Sequence, residues 1–213
     1  MDILERNGYI RRIPDQSKFE LTSEIKLLSA GFRGRDWIAE VGGPVIKKLQ
    51  GNILWPTSLA AFDQGQMVVR ETTRYTSPFV FDTGSVGLRI PVLSSALGLA
   101  YISNVSENSK NIILDILRRS NDPGDAVAHN AEETNKLLRE TKRRGYGLRQ
   151  GGIEPRTSSI AVPVILNEEA AASICVTFGR TALPLKAAIE NFLPVLTVAA
   201  NEIAQRASEH TDW

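Results

Sequence analysis

Residues 170–178 alternate with a period of two, and this constrains the fold more than any other stretch of the chain. Successive side chains of a β-strand point to opposite faces. Ala170, Ala172, Ile174, Val176 and Phe178 therefore share one face, apolar enough for a core. Ala171, Ser173, Cys175 and Thr177 share the other, a column of small side chains with hydroxyl or thiol groups. Residues 158–166 precede this run across Asn167-Glu168-Glu169, so the pair reads as an antiparallel hairpin.

The other elements fall around it. Residues 53–62 and 67–74 flank Asp63-Gln64-Gly65-Gln66 and read as a second hairpin. Trp37, Ile38, Val41, Val45, Ile46 and Leu49 keep helical spacing across Gly42-Gly43-Pro44, where a proline without an N–H predicts a kink. Residues 91–103 read as a buried helix, and 132–144 as a helix closed by Gly145. Residues 106–119 read as a helix with Ile112, Ile113, Ile116 and Leu117 apolar, separated from the next by the breaker 121–125. Residues 183–207 read as a long final helix with Phe192, Leu196, Ala199, Ala200 and Ile203 on its apolar side. The order describes an α+β fold, an antiparallel sheet with helices on one side and the other face open to a ligand.

Residues 1–22 are organised differently: a short helix end, Gly8, a strand, a turn at Pro14-Asp15-Gln16-Ser17, and a second strand. This is how the last third of a winged helix-turn-helix reads, with its first helices absent. Arg11, Arg12 and Lys18 lie on or beside the hairpin, where they would meet DNA phosphates or simply face solvent. The expected domains are a wing remnant over 1–22, a linker helix over 23–33, an effector-binding domain over 34–207 and a tail over 208–213.

Three features bear on a ligand. Cys175 and Thr177 sit in the polar column, whose plainer reading is a solvent face or one packed under helices. Ser94, Ser95 and Ala96 open a helix whose N–H groups can receive a carboxylate, or form an ordinary N-cap. Phe79 and Phe81 stand in a polar loop as a pocket lid, a subunit contact or core anchors, and Arg74 and Arg89 flank that loop.

Composition narrows the function. A 42% hydrophobic chain of 213 residues can bury a real core, and a net charge of +1 confines any DNA contact to a local patch. One cysteine excludes an intramolecular disulfide and a cysteine-rich zinc site. No apolar run reaches the roughly 18–20 residues of a membrane span, and the start lacks a signal peptide, so a cytoplasmic protein is expected. Only His129 and His210 are available for general acid–base work, and neither neighbours a nucleophile in sequence. There is no phosphate loop and no metal-ligand spacing. No enzyme, metal or cofactor is expected.

The chain resembles the IclR family of bacterial transcriptional regulators over about residues 1–206. Residues 8–22 look like the family's wing and the start of its linker helix. Arg89-Ile90-Pro91 through Ala96-Leu97-Gly98-Leu99-Ala100 resembles its Leu-Pro-(Leu)-x-x-(Thr/Ser)-Ala-Leu-Gly-Lys-Ala element. Gly145-Tyr146-Gly147 resembles its Gly-Tyr-Ala step, Ile160-Ala161-Val162-Pro163-Val164 its Ile-Ala-Ala-Pro-Val, and residues 172–177 its final strand. The resemblance implies a GAF-like effector domain that binds a small carboxylate-bearing catabolic metabolite. It places effector contacts on Ser94, Ser95, Ala96, Ile160, Ala161, Cys175 and Thr177. Leu99 stands where the family has lysine and Cys175 replaces a common serine, departures that favour a more apolar, aromatic effector. Implied partners are the effector, operator DNA for the full-length protein only, and copies of itself in a homodimer or homotetramer, with no membrane. The effector would shift the relative pose of two DNA heads. The alternative is a non-catalytic GAF-like oligomerisation module without an effector.

Overall fold

The computed structural model describes residues 2–13, 18–22, 24, 37–79, 86–120 and 122–209. Backbone contacts divide the chain into two compact units, up to residue 36 and from residue 37. The first unit holds helix α1 (Asp2–Arg6) and an antiparallel pair, β1 (Ile10–Arg12) and β2 (Phe19–Leu21). Its register sets Ile10 opposite Leu21 and Arg12 opposite Phe19. Gly8, at φ 72°, turns the chain out of α1, and the Thr22 hydroxyl donates to its carbonyl. The turn at 14–17, the linker helix expected over 23–33 (save residue 24) and the tail at 210–213 lie outside the described residues.

The second unit is built on six antiparallel strands. They are β3 (Thr57–Asp63), β4 (Gln66–Thr72), β5 (Arg89–Ile90), β6 (Gly147–Gln150), β7 (Thr157–Leu166) and β8 (Glu169–Gly179), ordered β5-β4-β3-β8-β7-β6. Two tight turns close the expected hairpins. Gln64 and Gly65 have φ of 49° and 86°, and Asn167 and Glu168 have 49° and 69°, so both are two-residue turns with φ positive at each position. Pro163 lacks a ladder donor, but β6 pairs with β7 only over residues 158–161, so the missing N–H falls beyond β6.

Alternation partitions the sheet as the sequence predicts. Ile174, Val176 and Phe178 of β8, with Leu59 of β3 and Ile160, Val162 and Val164 of β7, bury against two helices, α2 (Trp37–Leu49) and the long carboxy-terminal helix at Leu185–Glu209. α2 runs unbroken through Pro44. Gly42 lets it approach the sheet: a Cβ there would stand 2.1 Å from Leu59 Cδ2.

The expectation that helices keep to one side is corrected. Helix α3 (Ala96–Ile102) packs on the opposite face, over Ala60, Met67, Ala161 and Cys175. Behind it stand α4 (Glu107–Arg119), a 3-10 turn (Pro123–His129) and α5 (Ala131–Arg144), joined in a second apolar cluster. α3 is apolar all round because it lies between the sheet and these elements. α4 also turns differently from its expected stripe: Ile113, Leu114 and Leu117 are buried, while Ile112 and Ile116 are exposed. The final helix, α6 (Leu185–Glu209), buries Phe192, Leu196, Ala199, Ala200 and Ile203 as expected.

Candidate functional site

Gly147 brings α3 close to the sheet, and Gly98 lets the turn before α3 fold back against it. A Cβ on Gly147 of β6 would lie 2.0 Å from the Ala96 carbonyl oxygen, and one on Gly98 would lie 2.1 Å from that of Val92. With those side chains absent, α3 seats directly on β6, β7 and β8. Ser95 caps it: its Oγ accepts from the Gly98 N–H (3.0 Å) and donates to the Pro91 carbonyl (2.6 Å).

The turn ahead of α3 is held by Asp125, which is 1% exposed. Its Oδ1 accepts from the Leu93 N–H at 2.6 Å, and Oδ2 has no partner among the described residues. Burial pushes this carboxyl above its ordinary range, against the opposing pull of the Leu93 and Val92 N–H groups. The folded state therefore binds this proton more tightly than the unfolded chain does. Its contribution is fully present below the unfolded carboxylate range and is lost as pH rises through the folded value. Asp125→Asn keeps an acceptor for Leu93 and removes the charge. The variant is expected to match or exceed the wild-type unfolding midpoint at pH 7 and to lose part of the gain in stability on acidification. A lower midpoint at pH 7 with an unchanged pH slope would contradict this.

Beside α3 the sheet leaves a cavity of ≈ 120 Å³. One water needs roughly 10–15 Å³ on the same kind of measure, so the space suits a small organic molecule. Leu88, Ile90, Pro91, Leu97 and Ile153 supply an apolar wall. Ser58, Thr157, Ser159, Cys175 and Thr177 supply hydroxyls and a thiol, and Arg74 and Arg149 bring positive charge. Register explains the polar floor: β7 and β8 set Ser159 opposite Thr177, and β6 sets Arg149 opposite Ser159. Ser159 Oγ and Thr177 Oγ1 are 2.9 Å apart, and Ser58 Oγ and Thr72 Oγ1 are 3.0 Å apart.

Of the residues singled out from sequence, Arg74, Arg89, Ser95, Ala96, Cys175 and Thr177 line this cavity. Ile160 does not: alternation turns it into the core between sheet and helices. Ala161, one residue on, lies beneath α3. Ser94 lies outside the lining, its Oγ buried and unpartnered among the described residues. Phe79 stacks on Trp55 at 4.3 Å between ring centroids and is 41% exposed, so it neither lids nor lines the cavity. Phe81 lies outside the described residues. In the first unit, Arg11 pairs with Glu20, Arg12 lies 5.1 Å over the Phe19 ring, and Lys18 is exposed.

Arg149, Thr157, Ser159 and Ser58 were not found from sequence. The available signal was Thr157-Ser158-Ser159, three hydroxyl residues leading an otherwise apolar strand. Such groups, once buried, need partners.

No group of three or more His, Cys, Asp or Glu side chains placed to hold a metal ion occurs among the described residues. Burial pushes the Cys175 thiol up, more than Arg74 and Arg149 pull it down, which disfavours the nucleophilic thiolate. His129 is exposed at the end of the 3-10 turn. No helix of the described residues is long and apolar enough to cross a membrane.

No protein-family model matches the chain. Solved structures do. An IclR homolog from Microbacterium hydrocarbonoxydans, complexed with 4-hydroxybenzoate, is 23% identical, with a TM-score of 0.73 over 98% of this chain and 83% of that one. The chain has the fold of the IclR-family regulators. The IclR of Thermotoga maritima (18% identity, TM-score 0.71) is similar over 97% of this chain and 82% of its own. An IclR-family transcriptional regulator from Brucella abortus (20%, TM-score 0.69) is similar over 96% and 76%.

Proposed function

We propose that the chain is a ligand-responsive transcriptional regulator of the IclR family, here mainly its effector-binding and oligomerisation domain. Its effector is a small carboxylate-bearing catabolic metabolite, and the apolar wall together with Cys175 favours an aromatic one; Leu99, counted toward this from sequence, packs in the second apolar cluster outside the cavity. The observation that carries this reading is the cavity beside α3, with an apolar wall facing a hydroxyl-lined, positively charged floor. Such a division of labour, apolar surface for affinity and a few polar groups for orientation, is typical of small-molecule sites. The Microbacterium structure with 4-hydroxybenzoate supports it by likeness of fold.

In the full-length protein, Arg11, Arg12 and Lys18 contact DNA phosphates and position the wing without reading bases. The protein works in the cytoplasm as a homodimer or homotetramer. Its residues 1–22 act as the wing, 23–33 as the linker, 34–207 as the sensor and 208–213 as a tail.

A thermal-shift panel of small organic acids, including 4-hydroxybenzoate and pyruvate, tests the reading. At least one acid is expected to raise the unfolding midpoint, since a ligand at a hundred times its Kd adds about 2.7 kcal/mol of stability. No shift with any member at millimolar concentration would favour the oligomerisation module instead.

A further inference from the structure

Arg149 carries its charge to the floor of the cavity, and its hydrogen-bond partners among the described residues are neutral. Nη1 donates to the carbonyl oxygens of Gly151 (2.5 Å) and Glu154 (3.2 Å). Nη2 donates to Thr157 Oγ1 and Ser159 Oγ, both at 2.8 Å. Among the described residues no carboxylate stands at ion-pair distance from it; the nearby Glu154 carboxylate accepts from Arg156 Nε at 3.1 Å. Burial holds the Arg149 guanidinium below its ordinary value, with the like charge of Arg74 acting in the same direction and Cys175 and the Glu154 carboxylate pulling the other way. A half-buried charge with neutral neighbours gains from an anion brought to it.

Hydrogen-bond direction shows where that anion would be read. Arginine only donates, so the Thr157 and Ser159 hydroxyls must both accept from it. Thr157 passes its own proton to the Glu154 carbonyl at 3.2 Å. Ser159 is 5% exposed, and its proton has one acceptor within reach among the described residues, Thr177 Oγ1 at 2.9 Å. With Ser159 donating to Thr177 Oγ1, the Thr177 proton is left for an acceptor in the cavity or for the Cys175 sulfur, a weak acceptor and its one other side-chain hydrogen-bond neighbour among the described residues. The charge of Arg149 thus reaches the cavity as an oriented O–H donor, beside the guanidinium groups of Arg74 and Arg89 in its lining, which suits an acceptor without protons of its own.

We propose that Arg149 is the specificity-determining residue of this cavity: relayed through Ser159 to Thr177, its charge selects an anionic head group over a neutral group of the same shape. This rests on the cavity being an effector site. The anion is read at the sheet floor and not at the start of α3, where Ser95 Oγ is engaged by Gly98 and Pro91. The apolar body of the ligand lies along Ile90, Leu97 and Ile153.

The test compares acids with their amides: benzoate with benzamide, 4-hydroxybenzoate with 4-hydroxybenzamide, and pyruvate with pyruvamide. Affinities are measured calorimetrically on the whole chain. Wild type is expected to prefer the acid of its best pair by about tenfold or more, the scale of a hydrogen bond to a charged group. Thr177→Val, which keeps shape and removes the donor, is expected to abolish most of that preference. Ser159→Ala should do the same, and Arg149→Lys should reduce the preference by losing the planar fork that holds two hydroxyls at once. Arg149 also ties down residues 151–157, so the Thr177 variant decides the matter if the Arg149 variant unfolds. Equal affinity for acid and amide in wild type, or full preference retained in Thr177→Val, would overturn this inference and leave the effector reading standing. No binding by any acid or amide would overturn both.

Discussion

Replacing Gly147 by alanine is expected to cost about 4 kcal/mol or more, a large share of a domain's total stability. The added Cβ would lie 2.0 Å from the Ala96 carbonyl oxygen and 2.8 Å from the Ala100 nitrogen. Both are backbone atoms of α3, so no side-chain rotation relieves the clash. Either α3 lifts from β6, opening the wall of the cavity, or the strand leaves the sheet. Gly145 is the matched control. It caps α5 at φ 80° with open space around its Cβ position. Alanine there pays only for the left-handed backbone, about 1 kcal/mol. Denaturant unfolding of the two variants checks the contrast, and similar losses for both would show that α3 does not need the close approach.

Phe178→Ala is expected to lose about 3–5 kcal/mol. Phe178 is buried in the core under α6, tilted against Phe192 at 5.9 Å between centroids. Its removal leaves a cavity between sheet and helix that the close-packed neighbours cannot fill. The loss should appear in the unfolding midpoint without a change in acid-over-amide preference, because Phe178 faces away from Thr177. A collapse of ligand preference in a folded Phe178→Ala protein would mean that the two faces of the sheet are not separate.

The alternation in residues 170–178 was enough to separate the core face from the Cys175–Thr177 face. The turn residues at 63–66 and 167–169 also made both main hairpins legible. What failed was information that depends on pairing between distant strands. Arg149 sits on a strand of four residues, and an arginine there reads as solvated. Only the register that sets it opposite Ser159, and Ser159 opposite Thr177, brings it to the cavity. The resemblance places effector contacts on both Ile160 and Ala161, although adjacent strand positions cannot share a face. The placement of α3 on the second face was likewise hidden, because its all-round apolar surface has no direction. In α4 the apolar residues 112, 113, 116 and 117 fit helical spacing, but packing buries Leu114 and leaves Ile112 out.

A crystal structure of the protein soaked in the best-binding acid of the panel tests the effector site most directly. The expected result is electron density for the acid between α3 and strands β7 and β8, its carboxylate within hydrogen-bond distance of Thr177 Oγ1. Water alone in that cavity, with the acid bound elsewhere, would contradict it.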